Sequence, residues 1–148
     1  MKGKYGLKAM LHLARLPEDE LALASEVAEA NAISKKFLDA ILRELRVAGL
    51  VATRKGRTGG YRLARPAARI SVGEVLQVLD GPIASIQCAA RGDYLPCHDC
   101  PDPRTCPVRM TMIDVRDAIA SVLDRRSIAD VVAATDALDA GLNRFGRS

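Results

Sequence analysis

The stretch that most restricts the fold runs from Ser34 to Ala64, where the hydrophobic period changes across a single glycine. Phe37, Leu38, Ile41, Leu42 and Leu45 recur at three- and four-residue spacings, the mark of a helix with one buried side. Lys35, Lys36, Asp39, Ala40, Arg43 and Arg46 fall on its other faces. Ser34 is placed to cap the N-terminus and Gly49 to end the helix. Directly afterwards Leu50 to Arg54 and Tyr61 to Ala64 read as short strands around a turn containing Gly56, Gly59 and Gly60. A capped helix that feeds straight into a basic hairpin leaves few folds open, and the flanking segments narrow them further.

Upstream, Lys4 to Arg15 carries Leu7, Met10, Leu11 and Ala14 at helical spacing, and Pro17 ends the run. Ser25 to Ala30 reads as a short helix with Val27 and Ala28 inward. Short helix, turn, longer helix and hairpin make a helix-turn-helix with a two-stranded wing. Downstream, Ser71 and Glu74 form a capping box at the start of a helix that Gly81 and Pro82 end, with Val72, Val75, Leu76 and Leu79 inward. Residues 88 to 107 break every periodicity, holding four of the seven prolines and all four cysteines. Beyond Pro107, Val108, Met112, Val115, Ile119 and Val122 alternate at spacings of four and three, a seam suited to pairing with another helix. A last helix follows Ser127, with Ile128, Val131, Val132 and Leu138 apolar. The expected fold is mainly α: a winged helix-turn-helix over residues 1–81, a cysteine-rich loop over 82–107, and a long dimerisation helix plus a C-terminal helix over 108–148.

The charge is divided along the chain. Residues 1–69 carry 14 Lys and Arg against 7 Asp and Glu, whereas residues 70–148 carry 8 against 11. Residues 54–69 hold six basic side chains and no acidic one, which suits a polyanion better than a merely solvated surface. A helix with cations in its first turn can enter the major groove of DNA, so Ser34, Lys35, Lys36, Phe37 and Ala40 are the expected recognition-helix positions. The lysines serve affinity and register, and Ala40 offers no hydrogen-bonding group. At the wing, Lys55, Gly56 and Arg57 are the expected contacts, with Arg57 suited to the minor groove. Gly59 and Gly60 are expected to let the backbone approach a phosphate or groove edge. Arg62 and Arg65 read as solvent-facing decoration. No apolar run reaches the roughly 20 residues of a membrane span, and the start lacks the features of a signal peptide, so the chain is expected in the cytoplasm.

The runs "KGKYGLKAMLHLA", "AISKKFLDAILRELRVAGLVATRKGRTGGYRLARP" and "ISVGEVLQVLDGP", followed by a cysteine loop and a long helix, resemble the bacterial winged-helix regulators typified by IscR, NsrR and RirA. The resemblance spans nearly the whole chain. It implies a homodimeric transcription factor, a repressor or an activator, that binds a palindromic operator and whose DNA affinity is set by an iron-sulfur cluster. It also implies three cysteine ligands: Cys100 and Cys106, with five residues between them and directly before the long helix, and Cys88 upstream. Two departures stand out. The chain begins a few residues later than is usual in that family, and Arg109 stands where an IscR-like protein has a histidine three residues after the last cysteine.

The cysteines admit more than one chemistry. Thiolates suit zinc and iron-sulfur clusters alike, and Cys88, Cys97, Cys100 and Cys106 could complete a 2Fe-2S or 4Fe-4S cluster or a tetrahedral zinc site. On the residues alone, cluster and zinc are equally placed, and the resemblance favours the cluster. Cys97 is the simplest fourth ligand, with His98 and a group from outside the loop as alternatives. His12 is expected to pack without ligating. A disulfide switch ranks last, because Cys97 and Cys100 lack the strand-helix setting of redox pairs. No paired base, nucleotide loop or aromatic platform is present, so the chain is not expected to be an enzyme. A zinc-stabilised adaptor that binds an acidic protein is the competing class.

Overall fold

The computed structural model describes residues 2–82, 89 and 102–145. Six helices and one hairpin follow in the order α1 (Lys2–Ala14), α2 (Ala24–Ala30), α3 (Lys35–Val47), β1 (Val51–Arg54), β2 (Gly60–Leu63), α4 (Val72–Asp80), α5 (Pro107–Arg125) and α6 (Ile128–Phe145), with a short 3-10 turn at Ala67–Arg69. The fold is mainly α, a winged helix-turn-helix extended by two long helices.

The core gathers around α3. Leu38, Ile41, Leu42 and Leu45 are fully buried, and Met10, Val27, Ile70, Val75 and Ile128 close around them. At about 1.5–3 kcal/mol for each fully buried aliphatic side chain, this one stripe contributes a large share of the driving force for folding. Ile128, in the first turn of α6, belongs to the same cluster as α1 to α4, so the C-terminal helix completes the core.

The first helix differs from its sequence reading. Its buried line is Gly3, Gly6, Ala9, Met10 and Leu13, whereas Leu7, Leu11 and Ala14 are only half-buried. The glycines explain the shift. A Cβ on Gly6 would collide with Leu79, and one on Gly3 with Asp80, so α4 packs directly on the α1 backbone. Gly3 N–H donates to Asp80 Oδ1 across that contact, at 3.1 Å. An apolar-periodicity count passes over glycine, which is why the stripe read from larger side chains was displaced.

The hairpin pairs Val51 with Leu63 and Arg54 with Gly60 in antiparallel register. It has a partner that the sequence did not announce: Ala22 and Tyr61 exchange both backbone hydrogen bonds, at 3.0 and 2.7 Å, which ties the wing to the segment before α2. A similar one-residue bridge joins Ser71 to Ser127, with Val72 N–H donating to Arg126 and Ile128 N–H to Ile70. It fastens the α5–α6 turn to the start of α4. Each side of that bridge carries its own cap, Ser71 with Glu74 and Ser127 with Asp130.

Candidate functional site

Two regions carry the chemistry: the basic face of α3 and the wing, and the α5 end of the cysteine segment. The turn between α2 and α3 is built by Asn31, whose side chain donates to Val27 O at 2.9 Å, and by Ala32, which adopts the left-handed conformation at φ 53°. Ile33 N–H then returns to Ala28 O at 2.9 Å, and this closed turn sets the angle at which α3 leaves. His12 lies 3.4 Å from the Asn31 amide nitrogen through Nδ1, so it braces this turn from α1.

The expected recognition positions divide by task. Ser34 caps the helix, its Oγ accepting from Phe37 N–H at 3.2 Å. Phe37 is half-buried, edge-on to Tyr5 with ring centroids 5.6 Å apart, and so anchors the first turn of α3 to α1. Lys35 reaches Asp39 on the next turn at 2.9 Å, an exposed pair of modest strength that a phosphate can compete for. Lys36 and Ala40 are exposed, and Arg43 continues their line. The open face of α3 is therefore Lys36, Ala40 and Arg43, a one-sided run that i, i+4, i+7 spacing signals.

Lys4 and Lys8 were missed by the sequence reading. Both stand over the Tyr5 ring, 5.6 and 5.8 Å from its centre, so the ring carries two cations beside the N-terminus of α3. Lysines four apart on the outer side of α1 were the available signal. Together with the α3 N-terminus, which itself favours anions, they widen the cationic surface.

At the wing, Lys55, Gly56 and Arg57 are exposed, and Gly56 has φ 113°, a turn conformation that favours glycine. The expected role of Gly59 and Gly60 is corrected by the geometry. Gly60 is buried, and a Cβ there would sit 2.7 Å from Ala22 O, while one on Gly59 would strike Arg54 O. Their lack of a side chain serves the approach of the chain to itself. Arg65 is also more than decoration. It pairs with Glu74 at 3.0 Å and donates to Arg69 O, which reinforces the α4 cap. The Ser71 backbone N–H foremost, and Arg65 after it, hold the Glu74 carboxyl below the usual glutamate range.

Cys88, Cys97, His98 and Cys100 lie outside the described residues. Cys106 is half-buried at the N-cap of α5, its thiol makes no capping hydrogen bond, and Pro107 opens the helix. Among the described residues no group of three or more His, Cys, Asp or Glu side chains is arranged to hold a metal ion. The following helix presents two stripes. Arg109, Ile113, Arg116, Ala120 and Leu123 are half-buried on the side that meets the rest of the chain. On the outer side Val108, Val115, Ile119 and Val122 of the expected seam are exposed, Val108 by 60 %, with Met112 half-buried between them. Among the described residues no helix is long and apolar enough to cross a membrane.

This architecture matches that of known regulators. The sequence profile of the Rrf2 family, described as iron-dependent transcriptional regulators, matches residues 1–134. The chain belongs to the Rrf2 family. A curated Rrf2 relative, the rrf2-like HTH-type transcriptional regulator of Rhodobacter capsulatus, is 38 % identical over 136 residues, covering 90 % of this chain and 91 % of that protein. The solved structure of CymR, the global cysteine regulator of B. subtilis, superposes with a TM-score of 0.72 at 30 % identity, covering 90 % of this chain and 95 % of that one. IscR of T. potens superposes with a TM-score of 0.71 at 28 % identity, covering 91 % and 85 %. As an Rrf2 protein the chain is a transcriptional regulator with a DNA-binding winged helix, and it is not an enzyme.

Proposed function

We propose that this Rrf2 protein is a cytoplasmic, homodimeric repressor whose affinity for a palindromic operator is controlled by an iron-sulfur cluster. In this reading residues 1–81 bind DNA, 82–107 carry the cluster ligands and 108–148 pair the protomers. Lys36 and Arg43 on α3, Lys55 and Arg57 on the wing, and Lys4 and Lys8 on α1 meet the duplex, with Lys35 released from Asp39 onto phosphate. Cys88, Cys100 and Cys106 hold the cluster, with Cys97 as the fourth ligand.

The observation that carries the reading is the position of Cys106. Its free thiol sits at the N-cap position of the same helix that displays an exposed apolar seam, so ligation there acts on the pairing element directly. The donors fit the group: four soft thiols within one short segment, one of them at the positive end of a 19-residue helix. A bound cluster supplies a centre whose loss, oxidation or nitrosylation reports iron supply, oxidative stress or nitric oxide. The chain's part is to hold the ligands and set the separation of the two α3 helices, which a palindromic site requires to be about one DNA turn, roughly 34 Å.

Anaerobic purification with visible absorption, iron and sulfide analysis tests the proposal. Iron and sulfide in matching amounts, lost together on exposure to air, are expected. A second reading, a zinc or thiol-switched regulator, draws on the likeness to the cysteine regulator CymR of B. subtilis and to the oxidised form of Staphylococcus aureus CymR. Stoichiometric zinc in a colourless protein, or a metal-free protein whose operator binding follows thiol oxidation, would favour it and sink the cluster.

A further inference from the structure

The inner stripe of α5 contains two arginines seven residues apart, and both donate to backbone carbonyls of the cysteine segment. Arg116 Nη1 donates to Ala89 O. Its side chain is only 13 % exposed, and its Nε and Nη2 are steadied by Asp117 Oδ1 at 3.0 and 2.8 Å. Ala89 is itself buried, and it is the residue directly after Cys88. Arg109 Nη1 donates to Pro103 O at 3.4 Å, and Pro103 lies midway between Cys100 and Cys106. The helix that displays the outer apolar seam thus grips the segment at two points, one beside the first cysteine and one between the last two.

We propose that Arg109 and Arg116 are positioning residues that couple the state of the cysteines to the α5 seam; the proposal rests on the cluster-sensing reading for the identity of the signal. Arginine suits the task because its charge is permanent and its donors are fixed in one planar fork, so it transmits displacement where a flexible lysine yields. A buried carbonyl demands a donor, and any shift of Ala89 therefore pulls on Arg116, whose neighbour in the chain, Val115, belongs to the seam. Ligand binding at the cysteines then biases the seam, and pairing of the seam biases the cysteines by the same factor. Arg109, which stands where an IscR-like protein has a histidine, serves here as a grip on the segment.

The test uses the full chain with Arg116→Gln, Arg116→Lys and Arg109→Gln. In reduced, metal-free protein, N-ethylmaleimide labelling followed by mass spectrometry is expected to show Cys88 reacting roughly ten-fold faster in Arg116→Gln, with Cys106 unchanged and Arg116→Lys partly restoring the slow rate. With the cluster loaded, Arg116→Gln is expected to keep the wild-type iron content while the ratio of loaded to metal-free operator affinity falls toward one. An unchanged Cys88 rate together with an unchanged ratio overturns the proposal. If the wild type takes up no cluster, the cluster reading fails by itself. The coupling is then judged by Cys88 alkylation, which must alter operator affinity in the wild type and not in Arg116→Gln; equal effects in both overturn it. Should Arg116→Gln not fold, Arg109→Gln carries the same comparison through the labelling rates of Cys100 and Cys106.

Discussion

Single side chains in this protein often hold structure where their type advertises recognition. Ser34 and Phe37 sit in the first turn of α3, yet one caps the helix and the other packs on Tyr5. Lys36 and Arg57 are exposed and free to meet phosphate. Replacing either with Ala should weaken operator binding and reduce the slope of log affinity against log salt by about one, as titrations at several salt concentrations would show. Lys8→Ala should do the same from α1, and an unchanged slope would remove that helix from the interface. Glu74 gives a pH prediction. Its folded pKa is depressed, so its contribution is present above the ordinary glutamate pKa and lost as pH falls through the lowered value. The difference in Tm between wild type and Glu74→Gln should thus be largest at neutral pH and close on acidification, measured by calorimetry. Ser71 and Glu74 were legible as a capping box because their three-residue spacing is local. Arg65 was not, because its contact with Glu74 depends on how the hairpin exits.

Elements show the same division. The α3 stripe, its cap and its stop were readable from period alone, and Leu42→Ala should cost roughly 2–5 kcal/mol in chemical denaturation because the side chain is fully enclosed. The wing was readable as a hairpin, but its attachment through Ala22 and Tyr61 was not, since one residue of pairing leaves no periodic trace. Gly60→Ala should destabilise the protein by about 1–3 kcal/mol, because Gly60 has φ 152° and faces Ala22 O. In α5 the alternating spacing identified the outer stripe, and Ile119, 42 % exposed, is its central test. Ile119→Glu should shift sedimentation from dimer to monomer while leaving the helical circular dichroism in place. A dimer that survives this change would move the pairing surface elsewhere.

Across the complete chain, the two long helices link the reading head to the cysteine segment. Ile128 sits in the core of the winged helix, the Ser71–Ser127 bridge clamps the α5–α6 turn to α4, and Arg109 and Arg116 hold the other end. From Ala89, where Arg116 donates, contacts run through α5 to α4, from α4 through Gly3 and Gly6 to α1, and from α1 to α3 through Tyr5 and Phe37. Under the cluster proposal, chelation of iron from the loaded protein should change operator affinity without unfolding the winged helix, whose core contains no cysteine among the described residues. Operator titration and a thermal melt on the same sample would check both halves of that statement.

The sequence by itself determined the element order, the capped helices, the basic wing and the outer seam, because each depends on spacing within a few residues. Family membership was legible too, since the ordered run of helix, wing and capped helix is a long pattern. Tertiary structure alone decided which glycines admit a neighbouring backbone, which basic residues are committed to carboxylates, and that two α5 arginines grip the cysteine segment. Those are contacts between residues far apart in the chain, such as Gly3 with Asp80 and Arg116 with Ala89, and they exist only once the helices have packed.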